Sequence, residues 1–265
     1  MSNRVRLILA VLIGLMVASM PLIARAQTAT PDGPSYLLAF NFSPDSEPVD
    51  VYVNGQKVGD MLAFGEGSFP VLIDAGQAWV AVYESDKPLT DGPVIDGAII
   101  VGPNETYALP MMNLANRLQI GLYPIPVYGS LGENQTRTQW FNAVPEGPRV
   151  DIRDVNAQTT FLEALGYAED PVTSGNFPAG TYNWQFWTNN EVIVPDFVDD
   201  PDAPPPALAY DLGDLTLEPQ VVYSFYLIGQ PRSGEVLAFV LPMPFGGGDP
   251  VDPPIELIEE AEAES

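Results

Sequence analysis

Alternation of apolar and polar residues predicts β-strands along most of this chain. In the stretch VDVYV at residues 49–53, the valines share one face, and Asp50 and Tyr52 share the other. A period of two is typical of a strand that is buried on one side. Asn54-Gly55 follows at once, and both residues tolerate the positive φ angles of a two-residue hairpin turn. The sequence therefore predicts a tight β-hairpin here.

The same period recurs in later segments. In TYNWQFW at residues 181–187, Tyr182, Trp184 and Phe186 fall on one face. Turn residues separate such runs at intervals of roughly 8–12 residues, which is typical of all-β domains. The stretch TTFLEALGY at 159–167 could form a helical turn, but its alignment with GDMLAFG at 59–65 favours strand or loop.

An internal repeat organises the strands. FNFSPDSEPVDV at residues 40–51 aligns with FNAVPEGPRVDI at residues 141–152, an offset of 101. Four more matches follow in the same order, and the offset rises to 118 at the last of them. Chance similarity between two strand-rich halves would not keep this order. The chain therefore contains two copies of one unit, and loops are longer in the second copy.

Many short strands joined by Pro- and Gly-containing turns predict an all-β fold, with two tandem immunoglobulin-like β-sandwich domains after a signal peptide. The predicted boundaries are 1–26 for the signal peptide, 27–35 for a polar lead, 36–126 for the first sandwich, 127–245 for the second with a Pro/Asp-rich loop at 189–206, and 246–265 for a flexible acidic tail.

The first 26 residues predict export. Arg4 and Arg6 precede an uncharged apolar run at 7–23, and Ala24-Arg25-Ala26 supplies small residues for cleavage before Gln27. An uncleaved anchor is the alternative, but the run is about 17 residues, at the short limit for crossing a bilayer. We expect a secreted or exported protein (periplasm, cell surface or extracellular space), with no membrane insertion after signal cleavage.

The composition limits which partners and which catalytic groups the protein can have. The chain has 35 acidic and 10 basic residues, a net charge of −25. Such a surface repels nucleic acid and anionic lipid and favours cationic partners. The chain has no Cys, so its stability depends on burial, and no His, which removes the usual general base and any Ser-His-Asp triad.

These motifs resemble a known family. The strings SPDSEPVDVYVNG at 43–55, AFGEGSF at 63–69 and DAGQAWVAVY at 74–83 are similar to those of the family called domain of unknown function 4397. The resemblance covers most of 36–122 and, more weakly, 139–242. It implies exported bacterial proteins with tandem β-sandwiches and no established chemistry. The family's usual His is replaced by Asn41 and Asn142, and the second copy lacks the Asn-Gly turn.

The Ser-Pro-Asp motif has two interpretations. Ser43 could be a nucleophile with Asp45 nearby, but a serine needs a base, and only Lys57 and Lys87 could replace the missing His. The alternative, which we prefer, is a turn in which Pro44 fixes the backbone and Asp45 accepts hydrogen bonds from local N–H groups.

A metal site is predicted only in the Pro/Asp-rich loop. Asp196, Asp199, Asp200 and Asp202 could bind Ca²⁺ through several carboxylate oxygens. Their spacing does not match an EF-hand, and a solvated acidic loop is the alternative. No other cofactor is expected.

Carbohydrate contact is suggested by the tryptophans and the tyrosines near them: Trp79, Trp140, Trp184 and Trp187 could form a surface that stacks on sugars. Trp184 and Trp187 have opposite parity along one predicted strand, so one of them is expected on the surface, where it could stack on a sugar. Aromatic rings at a period of two also commonly belong to a core.

We therefore expect a non-enzymatic binding or structural module of the cell envelope or extracellular space. Its partner would be an envelope or extracellular protein or glycan, bound through loops at one end or an exposed strand edge. The alternatives are a carbohydrate- or calcium-binding accessory module and, third, a carboxylate-dependent hydrolase, for which no pair of carboxylates has a diagnostic context.

Overall fold

The computed structural model describes residues 33–189, 207–230, 235–246 and 256–258. These residues form strands and two single-turn 3₁₀ helices, Leu89–Asp91 and Ala115–Arg117. The strands of the first copy are β1 (Ser35–Asn41), β2 (Val49–Val53), β3 (Gln56–Leu62), β4 (Glu66–Gly67), β5 (Val71–Ile73), β6 (Gly76–Glu84), β7 (Ile95–Val101), β8 (Thr106–Met112), β9 (Gln119–Ile120) and β10 (Tyr123–Pro124). Those of the second copy are β11 (Gln135–Asn142), β12 (Arg149–Asp154), β13 (Thr159–Leu165), β14 (Val172–Thr173), β15 (Phe177–Pro178), β16 (Gly180–Asn189), β17 (Leu208–Leu217), β18 (Val221–Gln230), β19 (Glu235–Pro244) and β20 (Glu256–Ile258). The predicted signal peptide at 1–26 lies outside the described residues.

Each copy forms two sheets. In the first copy, outer sheet 1 has the order β3-β2-β6-β7, and inner sheet 1 is built around β8 and β1 with short strands at its edges. In the second copy, outer sheet 2 has the order β13-β12-β16-β17, and inner sheet 2 is built around β11, β18 and β19. In both inner sheets, the first strand of the copy pairs in parallel with a late one, β1 with β8 and β11 with β18. The prediction of an all-β fold with tandem sandwiches is confirmed.

Local predictions are also met. Asn54 (φ 49) and Gly55 (φ 80) connect β2 to β3, as expected for a two-residue hairpin with positive φ at both central positions. Residues 159–165 form strand β13, not a helical turn.

A tyrosine fixes the same corner of each sandwich. The Tyr107 hydroxyl accepts a hydrogen bond from the Gly102 N–H at 2.9 Å, and the Tyr223 hydroxyl accepts one from the Glu218 N–H at 2.9 Å. In both cases the donor is five residues upstream. This resembles the tyrosine corner of immunoglobulin-like sandwiches.

The inner sheets are buried on both faces. Alternate residues of β1 point to opposite sides, so that Leu37 and Ala39 pack in the core under outer sheet 1, while Leu38 and Phe40 pack in a second core with inner sheet 2. A third core lies between inner sheet 2 and outer sheet 2. The four sheets are thus layered around three cores, and the middle core is shared by the two copies.

Aromatic rings fill the middle core. Phe40 lies 5.3 Å from Phe42, 5.8 Å from Tyr226 and 5.4 Å from Phe239, measured between ring centroids. Phe141 contacts Tyr226 at 5.9 Å. Since Phe40 and Phe42 belong to the first copy and the other three to the second, these contacts join the copies by burial of apolar surface.

Arg137 ties the connecting segment to inner sheet 2. Its guanidinium donates hydrogen bonds to the carbonyl oxygens of Pro126, Tyr128 and Ser130 and to the Asn176 side chain, all at 2.8–3.1 Å. The planar fork of arginine suits several acceptors at once. This contact fixes residues 126–130 at the rim of the shared core.

One strand lies in the segment for which the composition predicts a flexible tail. Residues 256–258 form β20, which pairs antiparallel with β19 and extends inner sheet 2 by one strand. For these three residues the expectation of a tail without structure is wrong, because the β19 edge provides partners for their backbone.

Candidate functional site

The predicted calcium ligands Asp196, Asp199, Asp200 and Asp202 lie outside the described residues. Within the described ranges, no three His, Cys, Asp or Glu side chains come together as a metal site. The calcium site therefore stays a prediction.

The Ser-Pro-Asp motif forms a turn whose serine is inaccessible. The Ser43 side chain is 0% exposed, and its hydroxyl oxygen has no hydrogen-bond partner. Its counterpart in the second copy is Val144, so the fold does not require a hydroxyl here. Asp45 accepts a hydrogen bond from the Ala115 N–H at 2.7 Å, 70 residues away, and not from local N–H groups as predicted. Asp45 thus fastens the turn to a distant loop.

Trp184 is too deeply buried to make the predicted carbohydrate contact. It is 1% exposed and lies in the third core, 5.0 Å from the Trp140 ring. Trp187 faces the other side, where it is half-buried beneath the Arg153 guanidinium at 4.6 Å. A sugar could contact only Trp187 of this pair.

The asparagines at the family's histidine position shape the strand ends. The Asn41 side chain is buried, its Oδ1 accepts from the Ser43 N–H at 3.0 Å, and its Nδ2 donates to the Leu62 carbonyl at 3.0 Å. Asn142 makes the same two contacts in the second copy, with the Val144 N–H at 3.0 Å and the Leu165 carbonyl at 3.2 Å. These polar groups are structural.

Asp50 is a second buried polar group, and it supports a β-bulge. Its Oδ1 accepts from the Met61 N–H at 2.9 Å and the Ser85 hydroxyl at 2.9 Å, and its Oδ2 pairs with Lys57 Nζ at 2.6 Å. Met61 has a φ of 49°, which is strained for a residue with a side chain. Burial by itself raises the pKa of Asp50, but these hydrogen bonds together hold it below its usual value.

Because of Asp50, the free energy of unfolding is expected to decrease at acidic pH. Because its folded-state pKa lies below the unfolded value of about 3.9, the carboxylate contributes stability above that pH, and the contribution is lost as pH falls through the folded pKa. Urea unfolding at pH 6 and pH 3 should show a smaller loss of unfolding free energy for Asp50→Asn than for the wild type. The exposed Asp74→Asn is the control and should behave as the wild type. Equal losses in all three proteins would contradict this assignment.

The outward surface of outer sheet 1 carries an aromatic face, defined as Tyr52, Trp79, Ala81, Tyr83, Ala98 and Ile100. Trp79 is 52% exposed and Ile100 is 70% exposed. Trp79 lies opposite Ala98 in the β6–β7 pairing, and Ile100 lies opposite Gln77, two residues from Trp79 on the same side of the sheet. Trp79 and Ile100 are thus two large apolar side chains that lie close together on the solvent side of one sheet.

The two aromatic rings beside Trp79 are held in place. Tyr52 and Tyr83 meet edge to face, with their centroids 5.5 Å apart, and Lys57 Nζ lies 5.6 Å from the Tyr52 ring. The Trp79 N–H donates to the Asn54 side chain at 2.8 Å, so the hairpin turn also positions the tryptophan backbone. The aromatic face is therefore a fixed surface on a rigid sheet.

The second copy has polar residues at most of the same positions. By strand register, the counterparts of Tyr52, Trp79, Ala81, Ala98 and Ile100 are Arg153, Asn183, Gln185, Asp214 and Thr216. The polar side chains pair across the strands: Thr181 with Thr216 at 2.9 Å, Asn183 with Asp214 at 2.9 Å and Gln185 with Asp211 at 2.7 Å. Only Tyr83 keeps an aromatic counterpart, Trp187. The same fold thus forms with a polar outer surface.

A shallow cleft of about 300 Å³ adjoins the aromatic face. It lies between the end of β6 and the following loop, with Tyr83, Lys87, Pro88, Asp91 and Val94 in its lining. Lys87 forms an ion pair with Glu84 at its rim. Tyr83 contributes to both surfaces, so the cleft extends the aromatic face at one end.

Comparison with known families identifies the first copy. Residues 35–153 match the family model described as Domain of unknown function (DUF4397). Over these residues the chain is similar to that family. The DUF4397 match contains the aromatic face, the cleft and the whole first sandwich, and it ends within β12 of the second. A search of curated proteins returned no match. In the described part of the chain, no helix is long and apolar enough to cross a membrane.

Trp79 is among the aromatic residues for which the sequence suggests sugar stacking, but the sequence alone did not single out its face, although a signal was present. In the aligned strings DAGQAWVAVY and PAGTYNWQFW, Trp79 and Asn183 occupy equivalent positions. Once the residues of each strand that face the core are known, both of these positions are assigned to the outer side. The aromatic-rich second string led to the prediction of a carbohydrate contact at Trp184, which lies in the core.

Proposed function

We propose that the protein is an exported, non-enzymatic binding module that recognises its partner through the aromatic face of the first sandwich. The observation that supports this is the difference between the copies: one scaffold carries Trp79 and Ile100 in the first copy and Asn183 and Thr216 at the matching positions in the second. Since stability does not demand apolar residues there, a binding role accounts for them.

The geometry of the face suits recognition. Exposed tryptophan and tyrosine rings provide much of the binding energy in protein contacts, because they bury large areas with few rotatable bonds. Trp79 lies near the middle of β6, with Tyr52 and Tyr83 on the same face, and Ile100 and Asp96 lie on either side of its partner Ala98. Aromatic and apolar groups with polar groups at their border are common in binding surfaces.

A glycan is the second candidate ligand. The Trp79 ring is open to solvent, and the exposed Gln77 and Asp96 side chains lie on the same side of the sheet. A sugar ring can stack on the indole while its hydroxyls bond to an amide and a carboxylate. Binding to a glycan array that is lost on Trp79→Asn would favour this candidate over a protein partner.

The test replaces Trp79 with the residue that the second copy carries. Trp79→Asn should change the unfolding free energy by about 1 kcal/mol or less, because the site is exposed, yet reduce capture of cell-envelope proteins or glycans at least about tenfold. Phe69→Ala is the matched control, since Phe69 is 71% exposed and lies off the face. Equal capture by the wild type and Trp79→Asn would refute the proposal.

A further inference from the structure

One edge of the outer sheets differs from the other three. Outer sheet 1 ends in β3 and β7, and outer sheet 2 ends in β13 and β17. The pairings of β3, β13 and β17 are each interrupted by shifts of register. The pairing of β7 with β6 runs without a shift from Val101 to Ile95. Since bulges protect sheet edges from further pairing, β7 is the edge without that protection.

The register shows which backbone groups of β7 point outward. The Asn54 N–H donates to the Trp79 carbonyl at 2.8 Å, so the backbone of Trp79 faces β2. In an antiparallel sheet the direction alternates, so Val80 faces β7 and bonds with its partner Gly97. Asp96, Ala98 and Ile100 therefore present their N–H and C=O groups at the open edge. No strand pairs with this edge in the part of the chain that the structure describes.

The charge around β7 favours one class of partner. Asp91, Asp96 and Glu105 lie on or near β7 in the sequence, and the basic residues that flank this stretch, Lys87 and Arg117, are each paired with a glutamate. Asp96 lies on the edge strand itself and is exposed. The net charge of −25 opposes approach of a second copy and attracts a basic chain.

We propose that β7 binds an extended, basic segment of a partner protein by addition of a strand. The backbone of the segment pairs with Asp96, Ala98 and Ile100, and alternate side chains of the segment lie over the aromatic face beside Ile100. Lysine or arginine of the segment lies next to Asp96, as an opposite-charge pair across strands. The inference deepens the proposed function, because the added strand extends the sheet that carries the aromatic face.

The test measures binding of the full chain to a fluorescent peptide that alternates lysine and valine over seven residues. Ala98→Pro removes an outward N–H without breaking the β6–β7 ladder, as edge strands allow. It should weaken binding at least about tenfold, whereas Phe69→Ala, at an exposed site away from β7 and the aromatic face, should stay within about threefold. In the wild type, the bound peptide should slow amide hydrogen exchange at Asp96, Ala98 and Ile100.

Backbone N-methylation of alternate peptide residues provides a test that does not depend on folding of a variant. It removes donors and keeps charge, so binding should weaken at least about tenfold. If the methylated peptide binds as tightly as the unmethylated one, charge attraction alone explains the binding and the inference is overturned. Self-association of the chain that Ala98→Pro abolishes would identify a second copy as the occupant and also overturn it.

The two proposals fail separately. If Trp79→Asn abolishes binding and Ala98→Pro leaves it unchanged, the aromatic face is the binding site and strand addition is rejected. The reverse result would retain strand addition and reject a binding role for the face. Loss in both variants, with Phe69→Ala unaffected, is the result expected if both proposals hold.

Discussion

Phe40→Ala is expected to lower the free energy of unfolding by about 3–5 kcal/mol, the range for removal of a buried phenylalanine ring. Phe40 is fully buried and contacts Phe42 in its own sandwich and Tyr226 and Phe239 in the other. Its loss leaves a cavity between the inner sheets, which pack too closely to fill it.

The same variant tests whether the two copies unfold as one unit. Trp140 and Trp184 lie in the third core, in the second sandwich, and in a Trp79→Asn background the tryptophan fluorescence reports on that sandwich alone. If the middle core couples the sandwiches, Phe40→Ala should shift the tryptophan transition in urea as far as the far-ultraviolet circular dichroism transition. Phe69→Ala, at an exposed phenylalanine, should change the unfolding free energy by about 0.5 kcal/mol or less. A tryptophan transition that Phe40→Ala leaves in place would show that the sandwiches unfold independently.

Strand content and the repeat could be predicted because they depend on local patterns. The Val-Asp-Val-Tyr-Val run had to be a half-buried strand, and Asn54-Gly55 had to turn it back. The alignment of the two copies then predicts strands at the equivalent positions of the second copy. Every strand from β1 to β8 has a counterpart in order from β11 to β18.

The layering of the sheets depends on contacts that a repeat does not encode. Ser-Tyr-Leu-Leu-Ala-Phe in β1 is apolar on both faces, which is typical of a strand covered on both sides. The sequence does not say which surface covers the second face. Tyr226 and Phe239, which lie 186 and 199 residues beyond Phe40 in the sequence, provide it. The Asp45 bond to Ala115 was missed for the same reason, since local turn chemistry favours a local donor.

Comparison of the copies separates residues that maintain the fold from residues that can differ while the fold is kept. Asn41 and Asn142 make the same hydrogen bonds, and Tyr107 and Tyr223 fix the same corner. Positions that agree in residue and contact maintain the fold. Trp79 and Asn183 occupy equivalent positions, and the fold is maintained with either residue, so the fold does not require an aromatic residue at this position.

Asn41→Leu is expected to lower the free energy of unfolding by about 2–4 kcal/mol, because it leaves the Ser43 N–H and the Leu62 carbonyl buried without partners, each at a cost of about 1–3 kcal/mol. Asn142→Leu should have a similar effect through Val144 and Leu165. Denaturant unfolding at pH 8 measures both. A change below about 0.5 kcal/mol in either variant, the size expected at a surface site, would contradict the structural role.

Asn41→His restores the residue that the family usually carries, and it should make stability depend on pH. A neutral imidazole can accept from the Ser43 N–H through one ring nitrogen, but protonation removes that acceptor and places a charge in a buried site. The folded-state pKa of the imidazole is then below the unfolded value of about 6.5. Its stabilising contribution is present above that pH and is lost as pH falls. Asn41→His should therefore approach wild-type stability at pH 8 and fall toward Asn41→Leu at pH 5. The wild type contains no histidine, so it has no such titration in this interval. A flat pH profile for Asn41→His would mean that the ring does not replace the asparagine oxygen as acceptor.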